Sequence, residues 1–195
     1  MDHDQFWTLV ETTRLGGGDD CEQHTERLTA ALQVLPPSEI RAFDAIRWQL
    51  LAESYRWDLW GVSSLLIGTD SEDGFEYFRG WLIGQGRTVF EAAVGDPDSL
   101  AEHPSVQAVA QHGPLSPLRC ELMCESLLYV AYVAYEAVTG TQLELTDVEL
   151  AQVPFGHDPV GEPYPEHAAG WRRQYPRLWR LFGPWLQPSP WTSSL

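Results

Sequence analysis

The chain has 195 residues, with 28 acidic side chains against twelve basic ones, and all twelve cations are arginine, giving a formal charge of -16. That balance argues against DNA, RNA or an anionic membrane as the main partner, since each demands a cationic footprint. The missing lysine excludes a Schiff-base enzyme and a phosphate-cradling loop ending in Lys.

Hydrophobic residues make up 44% of the chain, including nine Trp, seven Phe and seven Tyr, so a sizeable core is within reach and a globular chain is expected. No disordered linker divides it, and a single domain over 1–195 is expected. Its opening, MDHDQFWTLVE, is acidic and amphipathic and lacks the profile of a secretory signal. No apolar run approaches the roughly 18 residues of a membrane span, so the expected location is the cytoplasm.

Taken in order, Asp4 to Arg14 carries Phe6, Leu9, Val10 and Thr13 on one face, with Asp2 or Asp4 as cap, and Gly16-Gly17-Gly18 should end that helix. The glycine run precedes Asp19-Asp20, whose charge would repel a phosphate, so it reads as a connection. Asp19 or Asp20 then caps a helix through Cys21, Leu28, Leu32 and Leu35, stopped by Pro36-Pro37. From Glu39 the pattern is apolar nearly all round and predicts a central helix running on through Tyr55 and Asp58, with a kink near Trp60-Gly61. Asp44, Trp48, Leu51, Tyr55 and Asp58 are spaced by four, three, four and three. On one continuous helix they would put two carboxylates at the ends of an aromatic-lined stripe.

Thr69 followed by Glu72 reads as a capping box, so a second central helix should start near Asp70 or Ser71, with Phe75, Phe78 and Leu82 facing the core. Gly84 and Gly86 predict a bend before a shorter helix at Thr88. Asp96 and Pro97 are cap and first residue of another, over Ser99 to His112. Ser116 and Pro117 open the helix Leu118 to Thr139, on which Glu121, Glu125, Tyr129, Tyr132 and Glu136 form a polar, aromatic stripe suited to a groove.

The remainder changes character. Residues 141–170 hold six carboxylates, four prolines and no cation, an acidic surface segment with at most one short helix capped by Thr146 with Glu149. The next stretch, 171–183, gathers Arg172, Arg173, Arg177 and Arg180 around a Trp171, Tyr175, Leu178, Phe182 stripe, the pattern of a docking helix whose arginines face the neighbouring acidic segment. Residues 184–195 read as a loose tail.

For chemistry, no Glu-x-x-His, His-Glu-x-x-His, Cys-x-x-Cys, calcium loop or Gly-x-Ser-x-Gly occurs, so no metal and no cofactor are expected. The six histidines fall near expected termini, loops or polar faces. Cys120 and Cys124 stand one turn apart on an expected helix, which suits neither a relaxed disulfide nor a complete zinc site, and Cys21 is solitary. What packing leaves unexplained is the set Asp44, Tyr55, Asp58, Asp73, Arg79, Arg87, Glu125, Tyr129 and Glu136. A buried carboxylate is costly unless paired. The set is therefore either an ion-pair network linking Asp58 or Asp73 to Arg79 or Arg87, or a pocket for a polar ligand.

The motifs FWTLVE, YRWDLWG, DGFEYFRGWLIGQGR and YPRLWRLFG together resemble a bacterial family, common in actinobacteria, called domain of unknown function 4240. The resemblance implies a small, mainly helical, intracellular domain and brings no activity or site residue with it. The expected fold is all-α, with about seven or eight helices. Whether the protein is an enzyme stays open: a non-catalytic interaction or regulatory module with a protein partner is the first expectation. The alternative is a metal-independent enzyme or small-ligand binder with an Asp/Arg/Tyr pocket between the central helices; sequence leaves the oligomeric state open.

Overall fold

A computed structural model describes residues 1–14, 20–144, 146 and 158–185. The fold is all-α, and among the described residues it has ten α-helices, more than the seven or eight expected: α1 (His3–Thr13), α2 (Cys21–Gln33), α3 (Pro37–Glu53), α4 (Trp57–Ile67), α5 (Glu72–Gly84), α6 (Arg87–Gly95), α7 (Pro104–His112), α8 (Val130–Thr139), α9 (Ala168–Gln174) and α10 (Pro176–Phe182). Short 3-10 turns cover Pro97–Glu102, Pro117–Leu122, Ser126–Tyr129 and Gly183–Trp185. The Gly16–Gly18 run, the Thr146/Glu149 cap with most of 145–157, and the tail beyond Trp185 lie outside the described residues.

Caps start these helices where the side chains predict. Asp2 makes a capping box with Gln5 on α1, and Asp20 accepts from the Gln23 N–H on α2. Asp96 accepts from Asp98 N–H ahead of Pro97. At α5 the cap is Ser71, accepting from Gly74 N–H, and the helix begins at Glu72, so the Thr69 box is replaced by a cap two residues on.

The core gathers apolar faces from most of the helices. Phe6 of α1 stacks on Phe43 of α3 at 4.5 Å, α2 packs along α8, and α3 also packs on α8, while α4 lies on α5. Phe75, Phe78, Leu82 and Trp81 of α5 are buried, matching the predicted stripe. Tyr175, Leu178 and Phe182 are buried too, so the C-terminal stripe is part of the same hydrophobic cluster.

Four expected helices are broken. The central one stops at Glu53, not near Trp60-Gly61, and at its last turn Ser54 Oγ donates to the carbonyls of Leu50 and Leu51. The freed turn is then clipped by Val160, whose N–H donates to Tyr55 O and whose carbonyl accepts from Trp57 N–H. Asp44 and Asp58 are thereby placed on different helices and the proposed stripe does not exist. Gly61 has another use, since a Cβ there would meet Tyr164 Cβ at 2.5 Å.

Pro104 breaks the 99–112 segment by keeping His103 extended, and Pro176 breaks the 171–183 segment by holding Tyr175 out of the helical region. The 118–139 segment opens at Met123, which is extended, while Cys124 N–H donates to Tyr77 O. That backbone lies so close to α5 that a Cβ on Gly80 would collide with the Cys124 carbonyl.

Two further expectations are corrected. Cys21 is not solitary: it forms a disulfide with Cys124, with Cα atoms 5.5 Å apart. His24 is buried, its Nε2 lying 3.0 Å from Val10 O.

Candidate functional site

Asp44 and Arg47 lie on the core-facing side of α3. Asp44 is fully buried, and Arg47, one turn on, is 1% exposed; Asp44 Oδ1 accepts from Arg47 Nε at 2.9 Å and from Nη2 at 2.6 Å. A buried guanidinium needs both charge compensation and a face to stack on. Arg47 has the second as well: its guanidinium carbon lies 4.6 Å from the Trp48 ring centroid and 5.7 Å from that of Tyr132 on α8.

Above this pair is a notch of about 160 Å³ walled by Arg47, Trp48, Glu76, Leu128, Tyr129 and Tyr132. Tyr129 is 51% exposed, and its ring lies 6.4 Å from that of Tyr132. On the α5 side of the rim, the Glu125 carboxylate pushes the Tyr77 phenol above its ordinary pKa, an effect to which burial, Asp73 and Tyr129 also contribute. Glu76 and Tyr129 thus line the notch, while Asp73, Glu125 and Tyr129 act on the phenol of Tyr77, the neighbour of Glu76 on α5. Asp73 and Glu125 are exposed to solvent.

The nine residues singled out from sequence divide as follows. Asp44 is paired with Arg47, which lines the notch; Tyr129 lines it too, while Asp73 and Glu125 act on Tyr77 beside it. Arg79 stands half-buried further along α5, donating from Nη1 to Leu51 O at 2.6 Å, with its guanidinium carbon 4.8 Å from the Phe75 ring centroid and 5.1 Å from that of Tyr55. Desolvation lowers the Arg79 pKa to about 10, and no carboxylate is within ion-pair distance of it among the described residues. Tyr55 belongs with Arg79 in this second, aromatic setting.

Asp58 starts α4 and pairs with Arg56 at 3.1 Å. Arg87 is exposed and pairs with Asp4 and Glu91, each at 2.7 Å. Glu136 is exposed on α8. Among the described residues no ion pair joins Asp58 or Asp73 to Arg79 or Arg87.

Sequence reasoning missed Arg47, Glu76 and Tyr77. The signal for Arg47 was present, an opposite charge three residues after Asp44 inside an apolar helix. For Arg177, expected to face the neighbouring acidic segment, the structure gives other partners. Arg177 bonds to Asp96 and Asp98, and Asp98, 3% exposed, accepts from the backbone N–H groups of Arg177 and Leu178, capping α10 from a distant turn.

No helix among the described residues is long and apolar enough to cross a membrane, and no three His, Cys, Asp or Glu side chains among them are grouped to hold a metal ion. Residues 1–137 match the family described as Protein of unknown function (DUF4240). No curated protein and no solved structure matches the chain.

Proposed function

Since the chain belongs to the DUF4240 family, which carries no assigned activity, we propose from its geometry a non-catalytic interaction module of the bacterial cytoplasm. In this reading the notch between α3, α5 and α8 receives a cationic side chain of a protein partner. The observation that supports it is the combination of aromatic walls at Trp48, Tyr129 and Tyr132 with Glu76 on the wall and the carboxylates Asp73 and Glu125 acting on the adjacent Tyr77. An aromatic face attracts a guanidinium or ammonium group, and carboxylates around it supply charge complementarity and steering.

Size favours a side chain over a cofactor: about 160 Å³ is well below the roughly 300 Å³ at which small-molecule pockets begin. The Asp44–Arg47 pair closes the floor, so Arg47 contributes a stacked surface, not a free charge.

The test is a titration of an arginine-rich peptide followed through tryptophan fluorescence at low and moderate salt. Saturable binding is expected, weakened by salt and by at least about tenfold in a Y129A/E76Q variant. Equal binding by that variant would refer the signal to general acidity and end the proposal. A second reading, a metal-independent enzyme or small-ligand binder in the same notch, gains ground if free arginine or a polyamine binds as tightly as the peptide.

A further inference from the structure

The Cys21–Cys124 disulfide borders a cavity and is not sealed within the core. Cys21 is half-buried and is the first residue of α2, whose free N–H groups stabilise a thiolate; Cys124 is 3% exposed. Both line a cavity of about 150 Å³, together with Arg14, His24 and Glu121. Ser126 Oγ is 3.0 Å from Cys21 Sγ, 3.9 Å from Cys124 Sγ and 3.1 Å from Thr25 Oγ1, so one hydroxyl reaches both sulfurs.

We propose that this disulfide is a thiol-exchange site for a low-molecular-weight thiol, whose sulfhydryl end alone enters the cavity while the rest of the molecule stays in solvent. The incoming thiolate attacks Cys21 Sγ, the more accessible sulfur. As the new S–S bond forms, the old one breaks and its electron pair leaves on Cys124 Sγ, which the Ser126 hydroxyl is placed to solvate. A second thiolate then attacks the external sulfur of the mixed disulfide, forming the small-molecule disulfide and releasing the Cys21 thiolate. Two electrons pass from two thiols to the protein. In a reducing compartment such a bond is transient, and reversible thiolation of Cys21 is its natural chemistry.

The exchange bears on the notch, a consequence that rests on the function proposed above. Cys124 immediately precedes Glu125 and the 126–129 turn that presents Tyr129. Once released from α2, this stretch keeps the Cys124 N–H to Tyr77 O bond and the buried Leu127 and Leu128, but loses its covalent tie across the chain. Reduction therefore loosens one wall of the notch.

The experiment uses the full chain carrying C120S, because Cys120 is an exposed free thiol that would confuse the readout. Native protein is incubated with millimolar reduced glutathione, then analysed by mass after alkylation. A glutathione adduct mapping to Cys21 is expected, with both cysteines alkylated on full reduction. Amide exchange across 123–129 should quicken by about tenfold in the reduced form, and affinity for the arginine-rich peptide should fall by about fivefold.

An adduct on Cys124, alkylation only in denaturant, or unchanged exchange across 123–129 overturns the proposal. If the adduct and the faster exchange appear while the oxidised protein binds no peptide, the thiol site stands and the notch reading alone is lost.

Discussion

Arg47 on α3, and Arg79, which reaches from α5 to the carbonyl of Leu51 one turn further along α3, solve the same problem in opposite ways. Arg47 is taken out of water entirely and answered by a carboxylate on its own helix, with Trp48 and Tyr132 as flanking rings. Arg79 keeps partial contact with solvent and meets no carboxylate; a carbonyl at the end of α3 and the faces of Phe75 and Tyr55 hold it. Its Nε finds no hydrogen-bond acceptor among the described residues, and its pKa falls accordingly. Full burial of a guanidinium calls for an opposite charge, whereas half-burial can be supported by ring faces and one carbonyl. His103 shows a third solution, discarding the charge: burial, then the nearby Arg14, push its pKa down to about 4.

The sharpest way to break this comparison is Asp44→Ala, which leaves Arg47 buried beside no carboxylate of its own helix. It should cost about 3–5 kcal/mol in urea denaturation, whereas the D44L/R47M double variant, with the charge removed on both sides, should fall within about 2 kcal/mol of the parent. A cost below 1 kcal/mol for D44A would mean the two arginines are not held differently.

His103 gives the next effect. Its folded pKa is below the unfolded value of 6.5, so between pH 6.5 and about 4 the unfolded chain binds the extra proton and stability falls as pH falls, levelling off below about 4. After allowance for solvent screening the loss is about 1–2 kcal/mol. H103N, which retains an N-capping side chain ahead of Ser105, should remove that slope, and an unchanged slope would locate the titration elsewhere. Smallest is Arg79→Met, expected to change stability by no more than about 1 kcal/mol: one carbonyl bond and two ring contacts are lost, but so is a desolvated charge. A loss near that of D44A would erase the distinction.

Much of the fold was legible because it depends on local chemistry. Asp2, Asp20, Asp96 and Ser116 are caps where their side chains predict, and the apolar stripes of α5 and of the Tyr175–Phe182 segment face the core. What was illegible depends on distant chain. The 3.6-residue pattern runs straight through Ser54, and only the return of Val160 to Tyr55 and Trp57 shows why the helix stops there. Likewise Met123 and Cys124 carry helical spacing but are drawn out by Tyr77 and by the disulfide to Cys21. Pro104 and Pro176 were readable breaks that apolar periodicity overrode. At the candidate site, Asp73, Glu125 and Tyr129 were visible as chemistry that packing left over. Their meeting around Tyr77 depended on the broken 118–139 segment and could not be read from spacing along one helix.

The family match ends at residue 137, but the contacts do not. Tyr164 fills the space left by Gly61, Tyr175 donates its hydroxyl to Asp58 O, and Asp98 caps the helix that Pro176 begins. A protein trimmed at that border would bare α4 and strand Asp98, a buried carboxylate, without its three donors. The two stretches are therefore expected to be inherited together. Relatives that carry a bulkier residue at the place of Gly61 should also have lost the tyrosine that covers it, a correlated change that sequences alone can record.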